Sequence, residues 1–189
     1  MNEFLEYLLK FGSLPSSGMD LLSKKARELV LYKKQFYWEA GKTVKQIGFL
    51  QTGILRVYYY TEKGEETTRY FIDENHLILD GDGSEGNYVP AEYLEALTDS
   101  KLITFSRPDW NEISRAIPGW DGLIQKITAK QHREKIQRRS DLVAQDAATR
   151  YLEFIEKFPT LVNRVPLTYI ASYLGITQSS LSRIRKNIR

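Results

Sequence analysis

The sequence predicts an α+β fold, with an N-terminal β-sandwich or barrel, then a long helix, then two short helices crossing at a tight turn. Three observations predict it. Residues 32–106 are rich in aromatic and β-branched side chains, with glycines spaced as turns between short strands. Residues 120–139 contain no Pro and, past Gly122, no Gly. Residues 166–186 carry two short apolar repeats of helical spacing that meet at Gly175.

The elements follow in order. Phe4, Leu8 and Phe11 have helical spacing over residues 3–11, and Leu21, Leu22, Ala26, Leu29 and Val30 extend the same pattern over residues 20–32. Ser13 to Gly18 reads as the loop between them. Gly53 to Ile72 reads as a hairpin. Leu55, Val57 and Tyr59 fall on one face of its first strand, and Arg56, Tyr58 and Tyr60 on the other. Glu62 to Glu65 supplies the turn, where Gly64 is free to take positive φ. Lys101 to Phe105 is a further strand. From Trp120 the pattern turns helical, with Leu123, Ile127 and Ile136 as its main apolar positions. Its polar middle, Lys130 to Lys135, suits either an exposed helix or one paired along a narrow seam, and the seam implies a homodimer. A last long helix spans roughly 144–157, before Phe158-Pro159.

Charge divides along the chain. Residues 1–117 hold 14 Lys and Arg against 18 Asp and Glu, whereas residues 118–189 hold 13 against 6. From Pro159 onward there are five bases and no acid. This asymmetry suits an anionic partner, nucleic acid or membrane surface, and on charge alone equally suits a solvated basic face. With no cysteine in the chain, disulfides, thiolate metal sites and cysteine nucleophiles are excluded. The N-terminus lacks a secretory pattern and no apolar run is long enough to span a membrane, so a soluble cytoplasmic protein with no membrane partner is expected.

The segment Val165 to Lys186 narrows the function. Pro166 fits the first turn of a helix, Ile170 and Leu174 form its buried stripe, and Ala171 is small where a second helix must approach. Gly175 ends that helix and Thr177 is a natural N-cap for the next. With Leu181 and Ile184 inward, Gln178, Ser179, Ser182 and Arg183 face outward on the N-terminal half, the part of a helix-turn-helix that enters the major groove. Arg and Gln can each read a base edge bidentately, and Ser can bind a base or phosphate. Thr177, Arg185, Lys186 and Arg189 add backbone contacts and phosphate attraction that is blind to base sequence. An ordinary helical hairpin with a Ser-rich surface is the plain alternative.

The chain resembles the Crp/Fnr family of bacterial transcription regulators, relatives of catabolite activator protein. The resemblance rests on Ile170 to Thr177 followed by Leu181 to Lys186, and on Gly48 to Tyr58 with Lys63-Gly64-Glu65 after it. It implies a cyclic-nucleotide-binding-like sensor domain, a β-roll or jelly roll, over residues 1–117, a dimerisation helix over 118–143 and a (winged) helix-turn-helix over 144–189. It further implies a homodimer on an inverted repeat of double-stranded DNA, with RNA polymerase and a small-molecule effector as further partners. Many family members carry Glu at the position of Ser179, so the usual half-site is not expected. The end at Arg189, soon after the second helix, is expected to leave no room for further C-terminal elements.

The resemblance weakens at the effector site. The family's cyclic-nucleotide binders use a Gly-Glu…Arg-Ser/Thr-Ala cassette, in which Arg neutralises the cyclic phosphate. The corresponding stretch, Leu79 to Tyr93, has Asp80, Asp82, Glu85 and Glu92, and no Arg or Lys stands between Arg69 and Lys101. Cyclic AMP binding by that cassette is therefore not expected. Asp80-Gly81-Asp82-Gly83 falls short of a calcium loop, and His76 and His132, the only histidines, lie in different elements, so no metal or cofactor is expected. No nucleophile elbow or phosphate-cradling glycine loop marks an enzyme, and Glu65-Glu66 reads as solvated charge in a turn. Two rivals stay open: a small-molecule sensor module that does not regulate DNA directly, and membrane association through the basic tail.

Overall fold

A computed structural model of the chain describes residues 1–79 and 89–188, with residues 137–144 described by backbone alone. Asp80, Asp82, Glu85 and Arg189, on which parts of the sequence reading rest, lie outside the described residues.

Two four-stranded antiparallel sheets face each other as a roll. The first has the order β1 (Arg27–Leu31), β8 (Ser100–Ser106), β3 (Gln46–Thr52), β6 (His76–Ile78). The second has the order β2 (Phe36–Trp38), β7 (Tyr93–Ala96), β4 (Leu55–Tyr60), β5 (Glu66–Ile72). Leu31, Leu50, Leu102, Leu55, Val57 and Leu94 pack between the sheets. Because successive side chains point to opposite faces, each sheet also has an outer face to cover.

Helices cover both outer faces. On the first sheet, Phe49, Ile103 and Phe105 pack against Phe4 and Leu8 of α1 (Asn2–Leu9), Leu22 of α2 (Ser16–Lys25), Trp110 and Ile113 of α3 (Arg107–Ala116), and Leu123 and Ile127 of α4 (Trp120–Ala144). On the second, Ile54, Phe71 and Leu97 join one apolar cluster with α5 (Ala147–Lys157), α6 (Leu167–Tyr173) and α7 (Gln178–Asn187). The C-terminal helices therefore complete their core on the roll.

Gly53 shows how tight the roll is. It sits at φ +110, and a Cβ there would stand 2.2 Å from Ser100 Oγ. Only glycine adopts that backbone without strain.

Several expectations need correction. The helix expected over 20–32 ends at Lys25, and Arg27–Leu31 pairs with β8 as an edge strand. The loop expected through Gly18 is already helical from Ser16. A further helix, α3, follows β8, with Ser106 as its N-cap accepting from Asp109 N. Glu66 is not turn charge: it lies in β5 and pairs with Arg56. The long helix runs to Ala144, and its Ile136 is exposed in the single chain. After α4 the described residues contain no strand, so the wing implied by the resemblance is absent from them.

Candidate nucleic-acid interface

The C-terminal pair of helices forms for local reasons. Pro166 stands at the N-cap of α6, where its missing N–H is not needed. Gly175 takes φ +66 and closes the helix, donating to Ser172 O, while Ile176 N–H reaches Ala171 O. Thr177 then caps α7, its Oγ1 accepting from Ser180 N at 3.1 Å. Leu181, Ile170, Ala171 and Leu174 are buried between the two helices and α5. The turn is thus held by a positive-φ glycine, a hydroxyl cap and one apolar contact layer.

The residues singled out in the sequence lie along the whole of α7, from Thr177 at its N-cap to Arg185 and Lys186 in its last turn. Thr177, Gln178, Ser179, Arg183 and Lys186 are exposed, and Ser182 and Arg185 are half-buried. Three of them are engaged by neighbours. Thr168 of α6 donates to Gln178 Oε1 at 2.9 Å, and the Ser179 hydroxyl lies 3.0 Å from Thr177 Oγ1. Sequence reasoning missed Thr168, although its place in the first turn of α6, beside the start of α7, was a usable signal.

It also missed the joint between the helices and the roll. Arg56, on the outer face of β4, is buried, with its guanidinium carbon 3.8 Å from the Tyr169 ring centroid and 4.3 Å from that of Tyr58. It pairs with Glu66 and lies 3.7 Å from Glu95. Burial pushes the Glu95 carboxyl above the usual carboxylate range, against the pull of Arg56. Ser172 Oγ of α6 accepts from Thr68 N of β5 at 2.8 Å. Arg164 donates to Glu74 Oε1 at 2.7 Å. Burial opposes the Glu74 charge, but Arg164 and the Gly53 N–H hold its carboxyl below the ordinary value. Sequence alone places these pairs 90 to 104 positions apart in the two cases bonded directly.

A second feature lies inside the roll. A cavity of about 390 Å³ opens between the sheets and α4, lined by Trp38, Tyr70 and Leu79 on one side and by Gln131, His132 and Lys135 on the other. Lys135 Nζ sits 4.6 Å from the Tyr70 ring centroid. His132 borders this cavity, whereas His76 bonds Asp73, and among the described residues no three His, Asp or Glu side chains form a metal-binding group. No described helix is long and apolar enough to cross a membrane.

No protein-family model and no curated protein matches the sequence. Solved structures do match. FixK2 from Bradyrhizobium japonicum superposes with a TM-score of 0.71 at 18% identity, over 86% of this chain and 84% of that one. The chain has the Crp/Fnr fold. The c-di-GMP-responsive global regulator CLP of Xanthomonas campestris agrees, with a TM-score of 0.69 at 11% identity over 92% of this chain and 91% of that one. So does the catabolite activator protein of Thermus thermophilus, at 0.57 and 16% identity, over 94% of this chain and 85% of that one. Within the Crp/Fnr fold, the roll, α4 and the helix-turn-helix stand in the order that the sequence resemblance implied.

Proposed function

We propose that the chain is a sequence-specific DNA-binding transcription regulator of the Crp/Fnr type. One observation carries the reading. A tight helix-turn-helix, closed by Gly175 and capped by Thr177, presents Gln178, Ser179 and Arg183 to solvent at the N-terminal half of α7, in a tail with no acidic residue from Pro159 onward. A recognition helix needs that presentation to reach base edges. Ser182 lies beside them, and Thr177, Arg185 and Lys186 supply phosphate contacts. Two copies pair along α4 and set two such helices on an inverted repeat. An effector held by the roll biases their spacing. The effector is not cyclic AMP bound through the usual cassette, because residues 70–100 supply no Arg or Lys. RNA polymerase is the further partner that this reading implies, and no catalytic role is assigned.

Arg183→Ala tests the assignment. Loss of a bidentate base contact should cost about 1–3 kcal/mol on the preferred duplex and relax preference at one position of each half-site. Unchanged affinity and preference at physiological salt would remove α7 from recognition.

A further inference from the structure

We propose that Thr168 is a positioning residue for base reading: its hydroxyl, on the first helix of the pair, holds the Gln178 amide on the second in place before DNA arrives. The inference rests on the proposed function and deepens it, because it assigns part of the sequence discrimination to a side chain outside the recognition helix. Thr168 Oγ1 donates to Gln178 Oε1 at 2.9 Å. Ser179, the next outward residue of α7, is bonded within its own cap, to Thr177. Gln178 is tied to a different helix.

The donor stands on a fixed support. Ile170, Ala171 and Tyr173 of α6 are buried, the Tyr169 ring lies against the Arg56 guanidinium, and Ser172 Oγ accepts from Thr68 N of the roll. Thr168 therefore reaches the first residue of α7 from a helix docked on the roll. A side chain held by a rigid neighbour meets its target already ordered. Freezing one rotamer-rich side chain at an interface costs about three- to tenfold in affinity, and the hold offsets part of that cost in the free protein. It also leaves the amide able to read. A carbonyl oxygen has two lone pairs and the amide nitrogen two N–H groups. Thr168 takes one lone pair, and no described residue is bonded to Nε2. The remaining lone pair and the amide N–H groups are what a bidentate contact to adenine uses. Thr168 and Gln178 are both exposed, so their bond strengthens when the duplex excludes water from it.

Two measurements on the full chain keep the hold and its consequence apart. Without DNA, nitrogen relaxation of the Gln178 side-chain amide should show lower order in Thr168→Val than in the parent. Thr168→Ser, which keeps the hydroxyl, should return the order to the parental value. With DNA, the base pair read by Gln178 is the one at which Gln178→Ala loses preference. Thr168→Val should lower discrimination at that base pair about three- to tenfold and leave the other positions and the salt dependence as in the parent. Thr168→Ser should restore it, and adding Thr168→Val to Gln178→Ala should change nothing further. Amide order or discrimination unchanged by Thr168→Val would overturn the proposal. So would a uniform loss on every duplex, which marks a phosphate contact by Thr168 itself, a lack of rescue by Thr168→Ser, or an additive double variant. Gln178→Ala with every preference kept would overturn it as well. A parent chain that prefers no duplex is instead a failure of the proposed function, and the amide measurement then decides the hold alone.

Discussion

The guanidinium of Arg56 lies 3.8 Å from the ring centroid of Tyr169, so a strand of the roll and the first helix of the helix-turn-helix meet through a buried cation and an aromatic face. The guanidinium is shielded from solvent, the condition under which a cation–π contact is strongest, and it also pairs with Glu66 and lies near Glu95.

Tyr169→Leu keeps the apolar volume and removes the π face. It should lower stability by about 1 kcal/mol, and it should increase protease sensitivity of the segment between α5 and α6 before the roll is cut. Thermal unfolding with limited proteolysis checks both. If stability and the order of cleavage stay as in the parent, the contact contributes nothing to the joint.

Much of the helix-turn-helix was legible because its determinants are local. Gly175, Thr177 and Leu181 lie within seven positions of one another, and they act through a positive-φ turn, a hydroxyl cap and an apolar contact at helical spacing. Arg56 was not legible. Its alternation within the strand correctly sets it apart from Leu55 and Val57, but the partner that buries it, Tyr169, is over a hundred positions away. Leu29 and Val30 misled for a related reason. Their spacing continues that of Leu21, Leu22 and Ala26, yet pairing with Leu102 and Lys101 of β8 overrides it. For α3 the signal was present: Ser106 followed by Asp109, with Pro108 in the first turn, is a helix start.

His76 gives stability a dependence on pH. Burial opposes its charge, but the Asp73 carboxylate at 3.0 Å and the carbonyls of Asp73 and Glu74 outweigh it and raise its pKa above the ordinary value. A raised folded pKa stabilises fully below the unfolded value of about 6.5 and loses that contribution as pH climbs through the folded one. Asp73→Asn should therefore lower Tm more at about pH 6 than at about pH 9. A Tm difference that stays constant across that window would show that the pair contributes nothing to the pH dependence.

Lys186 is exposed near the C-terminal end of α7, where it offers charge to phosphate and no planar fork to a base. Lys186→Ala should weaken binding to all duplexes alike and reduce the slope of log affinity against log salt by about 1. A change confined to one sequence would make Lys186 a base-reading residue.

If this helix-turn-helix reads DNA sequence as a symmetric pair, selection of bound duplexes from a random DNA pool by the full chain will show it. An inverted repeat whose half-site centres lie about one helical turn apart, roughly 34 Å, should be enriched. Weak, salt-sensitive retention with no enriched sequence, both without and with a ligand found for the roll, would rule out sequence reading by α7.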